Sequence, residues 1–336
     1  MKKTMTVLIL FILSGIILFG CGRPQPPKAP DEVKLQLKWL HQAQFAGFYM
    51  AQEKGYYAKE NIKITFLEGG QDVDIAGSVV SRKADFGVVT PEYILINRSR
   101  GLPLIAIAAI YRRSAVAFAA RANSGIVRPA DFKGKTVAAA GKGGSMEFDL
   151  QLRAMMKKLK IDILKLNIIP YDPEYASFYS GKTDVTAAYY TGGIIKIRKK
   201  GMKINLIWPE DYGINFYSDT LATTEKMISD NPDLVERFMR ASMQGWQDAI
   251  EDYRQAVVVS LKYVHDKEDS DTQTAMMEAM LPLVHTGEDR IGWMKPEIWH
   301  EMYGTLLDQG LLEKPFDVDQ AYTMRFIKEI SGGKVK

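Results

Sequence analysis

Ser78-Val-Val-Ser-Arg-Lys-Ala-Asp85 and Ser177-Phe-Tyr-Ser-Gly-Lys-Thr-Asp184 agree at both serines, the lysine and the aspartate, and stand 99 positions apart. Each copy leads into a short apolar run, Phe86 to Val89 in one and Val185 to Ala188 in the other. At a similar offset, Lys34 to Trp39 corresponds to Lys135 to Ala140, each followed by a polar loop and a helix, from His41 and from Gly141. One strand–helix pattern used twice implies two α/β lobes of similar topology, each presenting the C-terminal ends of its strands to a shared crevice.

Working outward, the first copy belongs to a longer alternation. Val33 to Trp39 alternates apolar and polar residues as a strand does, Ala46 to Lys54 has helical character up to Gly55, and Ile62 to Leu67 reads as a second strand stopped by Gly69-Gly70. Val73 to Arg82 reads as a helix and Asp85 to Val89 as a third strand. The next helix opens at Thr90-Pro91-Glu92, with Thr90 as its N-cap and Pro91 where a missing N–H costs nothing. Helices between strands predict parallel pairing through right-handed crossovers. In the second half, Phe148, Leu152, Met155 and Leu159 mark an apolar helix face. Past Thr220 the alternation gives way to helices, one opened by Asn231-Pro232 with Leu234, Phe238, Trp246 and Tyr253 along it.

The chain has 336 residues, 46% hydrophobic and 25% charged, enough to bury a large core in about two domains. Its 44 Lys+Arg against 40 Asp+Glu is too even a balance for a nucleic-acid surface, so no nucleic-acid partner is expected. The single cysteine, Cys21, excludes an internal disulfide, a Cys-based zinc site and an iron–sulfur cluster. Lys2 and Lys3 precede an apolar run from Val7 to Phe19. Such a run falls short of a roughly 30 Å hydrocarbon core and reads as a signal peptide. Gly20 followed by Cys21 resembles the bacterial lipobox, with Phe19 bulkier than is usual there. The resemblance implies a cysteine that is lipidated at a new N-terminus. Gly22 to Pro30 carries four prolines in nine residues, the composition of an extended tether. The expected layout is a signal peptide at 1–20, a tether at 21–30, a first lobe at 31–119 plus 218–336, and a second lobe at 120–217. The product is expected to be an exported monomer, held at the cell membrane by its lipid on the periplasmic or extracellular face.

Ligands of open α/β sheets sit beyond the strands' C-terminal ends, where helix N-termini offer free N–H groups. The candidate binding residues are therefore Trp39, His41, Gln44 and Phe45 after the first strand, and Thr90 and Glu92 after the third. In the second lobe they are Gly143, Gly144 and Ser145 of the Gly141 to Ser145 loop, with Tyr189 and Tyr190. Thr90 and Tyr189 lie one repeat apart and should face each other. Trp39 either stacks on a planar ligand, worth about 0.5–1.5 kcal/mol beyond its burial, or packs in a core. The glycine-rich loop fits either a polar ligand contact or a plain turn capped by Ser145; it is neither a Walker A nor a GxGxxG motif. Tyr171 and Tyr175 read as lobe core. His41, His265, His285 and His300 lack metal-ligand spacing, HExxH and GxSxG are absent, and His265-Asp266 reads as a solvated pair. No catalytic residue, metal or cofactor is expected.

The stretch Leu35-Gln-Leu-Lys-Trp39-Leu-His-Gln-Ala-Gln-Phe-Ala-Gly47-Phe-Tyr-Met-Ala51-Gln-Glu-Lys-Gly55-Tyr-Tyr resembles the opening of the thiamine-pyrimidine family of periplasmic-type solute-binding proteins. That family also contains yeast-type pyrimidine precursor synthases. Lys83-Ala-Asp85-Phe-Gly87, Asp131-Phe-Lys-Gly134-Lys-Thr-Val137, and Asn231-Pro232 with Val235 and Phe238 agree as well. The resemblance implies a type II periplasmic-binding-protein fold: two α/β lobes joined by two crossover segments, closing like a hinged clamp on a ligand in the cleft between them. It also implies delivery of that ligand to an ABC permease and its ATPase. Trp39 matches the family's stacking tryptophan, and Gly143-Gly144-Ser145 its polar contact in the second lobe. The synthase branch has a lysine and a histidine where this chain has Val89 and Tyr93, and a cysteine-rich motif where it has Gly213 to Tyr217. Pyrimidine binders often place a glutamate where Thr191-Gly192-Gly193 stands. The resemblance thus implies a solute-binding lipoprotein for a thiamine-related pyrimidine. A flavin, a sulfonate or nitrate anion, a sensor role and a synthase-like enzyme are the alternatives.

Overall fold

Asp85 explains why the repeat exists. It donates its backbone N–H to Lys34 O at 2.9 Å and accepts the Lys34 N–H through Oδ2 at 2.8 Å, fixing where one strand enters beside another. Asp184 does the same to Thr136 at 3.0 and 2.8 Å. In both copies the second serine donates its hydroxyl to the carbonyl of the first, and a residue with left-handed backbone follows, Arg82 at φ 62° and Gly181 at φ 80°. The matched lysines, Lys83 and Lys182, point to solvent.

The computed structural model describes residues 28–141, 145–264, 270–285, 287 and 289–332. The expected signal peptide, Cys21, most of the tether, Gly143, Gly144 and the His265-Asp266 pair lie outside these residues. Ten strands are present among them: β1 (Asp31–Gln36), β2 (Ile62–Leu67), β3 (Phe86–Val89), β4 (Leu104–Ala109), β5 (Val116–Arg121), β6 (Thr136–Ala140), β7 (Asn167–Pro170), β8 (Val185–Tyr189), β9 (Ile204–Ile207) and β10 (Thr220–Thr224). They form two five-stranded sheets, ordered β2-β1-β3-β10-β4 and β7-β6-β8-β5-β9. In each sheet three parallel strands are followed by one antiparallel strand contributed from outside the alternation. β10 runs antiparallel to β3 and β4, and β5 runs antiparallel to β8 and β9. The α/β class and the duplicated topology are those expected.

Several boundaries differ. β5 begins at Val116 and pairs in the second sheet, so Val116 to Ala119 do not belong with the first lobe. β1 ends at Gln36, before Trp39, because Leu37 to Trp39 turn toward the cleft while still bonded to the β2 end through Leu37 N–H to Leu67 O and Gly69 N–H to Trp39 O. Leu159 is exposed, one residue past the end of the helix Met146–Lys158, whose buried residues end at Met156. The helix Pro232–Glu251 ends before Tyr253, whose own helix is capped by the Asp252 carboxylate.

The Pro232–Glu251 helix braces the first lobe. Phe238 stacks on Phe86 of β3, ring centroids 3.9 Å apart, and Trp246 meets Phe48 edge-on at 5.5 Å. Glycines make this approach possible: a Cβ on Gly47 would lie 2.1 Å from the Trp246 ring, and one on Gly245 would lie 2.2 Å from Gly47 O. The chain crosses between the sheets twice, through 110–115 and 208–219, and the two crossovers bond to each other. Ile110 and Tyr111 donate to Asp219 O at 2.8 and 3.0 Å, and Ala115 donates to Ser218 Oγ at 3.0 Å. Among the described residues no helix is long and apolar enough to cross a membrane.

Candidate functional site

Between the lobes lies a cavity of about 250 Å³. The first lobe supplies Lys38, Trp39, Leu40, Gln42 and Gln44 after β1, with Gly70 and Gln71 after β2. The second supplies Phe148 from the first turn of its glycine-loop helix, Tyr171, Pro173, Glu174 and Tyr175 after β7, and Tyr189, Gly192, Gly193 and Lys196 at and beyond the end of β8. Each segment follows a strand's C-terminal end or opens the next helix, as the topology requires. The walls are aromatic on both sides. Trp39 faces Phe148, Tyr171, Tyr175 and Tyr189, and Phe148 leans on Tyr171 at 4.7 Å. The tyrosines at 171 and 175, read from sequence as core, are cavity wall as well as buried, their hydroxyls bonded to each other at 2.9 Å. Gly193 leaves room for that pair, since a Cβ there would lie 1.8 Å from the Tyr175 hydroxyl.

The floor is ionic. Lys38, with a side chain 2% exposed, sits 2.5 Å from Glu147 Oε1 and 3.2 Å from Asp219 Oδ1, whose side chains are 0% and 1% exposed. Its ammonium also donates to the Tyr189 hydroxyl. That hydroxyl lies 3.1 Å from Glu147 Oε2 and 3.0 Å from Asp219 Oδ1, and Gln44 Nε2 donates to Asp219 Oδ2 at 2.6 Å. Behind this group Gln151 Nε2 donates to Glu92 Oε1 at 2.9 Å, and Ser114 Oγ donates to Gln151 Oε1 at 2.8 Å. Two bonded groups therefore span the lobes: Lys38 and Gln44 with Glu147 and Tyr189 through Asp219 of a crossover, and Glu92 with Gln151 and Ser114 behind them. Burial alone would lower the Lys38 pKa, but the Glu147 and Asp219 carboxylates hold it above the ordinary lysine value. Burial raises Glu147 above the usual carboxylate range in spite of the nearby ammonium.

The structure gathers Trp39, Gln44 and Tyr189 at the cleft or its floor, sets Glu92 behind the floor, and separates His41, Phe45, Thr90, Ser145 and Tyr190 from it. Phe45 is fully buried in the first-lobe core. His41 bonds through Nδ1 to the Tyr49 hydroxyl at 2.7 Å, away from the cavity wall. Thr90 and Ser145 are buried at helix N-cap positions without a side-chain cap bond, and neither lines the cavity. The expected Thr90–Tyr189 pairing is replaced by Lys38–Tyr189, because Thr90 lies under the wall. Tyr190 turns outward onto Trp208, centroids 4.9 Å apart. Val89 is buried in β3, and Tyr93 donates to Asp74 Oδ1 at 3.1 Å. Lys38, Glu147, Gln151 and Asp219 were not legible as site residues. Lys38 follows Lys34 and Gln36 on what reads as a solvated strand face, and Glu147 is the acidic residue any helix first turn favours. Among the described residues no group of three or more His, Cys, Asp or Glu side chains could hold a metal ion.

A model of the NMT1/THI5 like family matches residues 42–256. The riboflavin-binding protein RibY of Chloroflexus aurantiacus is 26% identical, over 96% of this chain and 97% of its own. A formylaminopyrimidine-binding protein of Halalkalibacterium halodurans is 23% identical, over 94% and 97%. The periplasmic aliphatic sulphonate binding protein SsuA from Escherichia coli superposes with a TM-score of 0.70 at 14% identity, covering 87% of this chain and 92% of that one. That likeness establishes the periplasmic-binding-protein fold.

Proposed function

The chain belongs to the NMT1/THI5 like family, and on that premise we propose that it is an extracytoplasmic solute-binding protein delivering a small planar heterocycle, a thiamine-related pyrimidine precursor, to an ABC importer. The observation that carries this reading is the pairing of aromatic walls from opposite lobes, Trp39 against Phe148, Tyr171 and Tyr189, which suits a flat ring held between them. The floor supports it further. On the floor one ammonium faces two carboxylates, so a sulfonate or nitrate reaching it would meet a net negative charge, whereas an amino-substituted ring finds acceptors. A flavin is the second reading, favoured by the match to RibY along nearly its whole length.

Binding without chemistry fits Lys38, whose amine is kept as an ammonium and so lacks the free lone pair that a covalent lysine needs. Lipidation of Cys21, a tether across 21–30, a monomeric state, and a permease with its ATPase as partners complete the proposal.

Thermal shift with hydroxymethylpyrimidine, formylaminopyrimidine, riboflavin, an alkanesulfonate and nitrate tests it. A ligand at 100 times its Kd adds about 2.7 kcal/mol of stability. Stabilisation by a pyrimidine, lost in Trp39→Ala, is the expected result, and riboflavin alone would select the second reading. Stabilisation by the anions alone would reject both.

A further inference from the structure

Glu92, Glu147, Asp219 and Lys38 are each no more than 2% exposed and come from both lobes and a crossover. Three carboxyl groups thus crowd around one ammonium almost wholly withdrawn from solvent. Fully ionised, the set would bury two uncompensated negative charges, and buried groups in that position neutralise. Glu147 and Asp219 both touch the ammonium. Glu92 does not: its Oε1 accepts from Gln151 across the lobe boundary, and its Oε2 is buried without a hydrogen-bond partner. We propose that closing the two lobes takes up one proton at Glu92 and opening returns it to solvent, so that the acidity of the medium sets how firmly the cleft closes. The inference rests on the hinged-clamp reading and is independent of which ligand is bound.

Burial and the facing Glu147 carboxylate push Glu92 up to about 8 from an ordinary 4.5. In the open form, parted from Gln151 and Glu147 and wetted, Glu92 returns toward the ordinary value. Between about pH 5 and 8 the closed form therefore holds one more proton than the open form, and the closed-to-open ratio falls about tenfold per pH unit. Above about 8 both forms are ionised and the slope vanishes. Glu147, raised chiefly by burial, acts in the same direction. Lys38 stays charged throughout. Of the other charged residues on elements packed against the Pro91–Ser99 helix, Asp74, Lys157, Glu297, His300, Asp308, Asp317 and Asp319 are exposed. Arg98 pairs with Glu225 at 2.8 Å, Asp149 with Arg153 at 2.8 Å, and Glu301 with Lys158.

The test needs no ligand. Spin labels on Asp72→Cys and Ala176→Cys flank the mouth of the cleft, and Cys21→Ser removes the native thiol of the full chain. Double electron–electron resonance then reads the closed and open fractions from pH 5.5 to 9. The expected result is a ratio that falls about tenfold per unit up to about pH 8 and then levels. Glu92→Gln, isosteric with the protonated acid, should remove most of the slope, and Glu147→Gln should move the break to lower pH. A ratio constant across the range, or a full slope that survives Glu92→Gln, overturns the proposal. Either outcome leaves the ligand assignment standing on its own thermal-shift result.

Discussion

Replacing Lys38 by methionine preserves most of the side chain's volume and removes its charge, leaving Glu147 and Asp219 buried beside each other without a counter-ion. Breaking one side of a buried ionic group costs about 3–5 kcal/mol. Lys38→Met is therefore expected to lower the urea midpoint far more than a surface lysine such as Lys83→Met, and equal midpoints would show that the floor is solvated. The residue scale is also where sequence reading was least complete. Trp39, Gln44, Glu92 and Tyr189 were legible because a strand's C-terminal end and a repeat offset mark them without reference to any partner. Lys38, Glu147 and Asp219 were not, because each is ordinary in its own segment and acquires meaning only when two lobes and a crossover meet. Phe45 and His41 erred in the opposite way. They share a loop with Trp39, but the short helical turn after Gln42 carries Phe45 into the first-lobe core, and His41 bonds to Tyr49 instead.

At the scale of elements, the strands and helices of the repeat were read nearly to their ends, since alternation, prolines and aspartate caps are local signals. The helix crossing between Ala46–Glu53 and Pro232–Glu251 was not, because close approach of two backbones leaves only glycines as its trace. Gly47 and Gly245 are that trace. Gly47→Ala would drive a methyl into the Trp246 ring, and overpacking of this kind costs about 1–3 kcal/mol. The expected result is a lower melting temperature with pyrimidine binding retained, because the crossing lies behind the first sheet. An unchanged melting temperature would mean the helices shift apart freely.

For the whole molecule, each sheet has the same strand order, yet the two are assembled from different lengths of chain. The second sheet is built entirely from one continuous stretch, β5 through β9, while the first must pair Val89 of β3 with Thr220 of β10 across everything between. Bringing distant segments together costs closure entropy before any contact rewards it, and such pairings form late. On refolding from urea, pulse-labelled hydrogen exchange should protect amides of β6 and β8 before those of β1 and β3; the reverse order would refute this. A chain emerging N-terminus first would then hold four strands of its first sheet in waiting until the last third arrives. The borrowed strand is a built-in delay: the first lobe's sheet stays incomplete until about two thirds of the chain has been made.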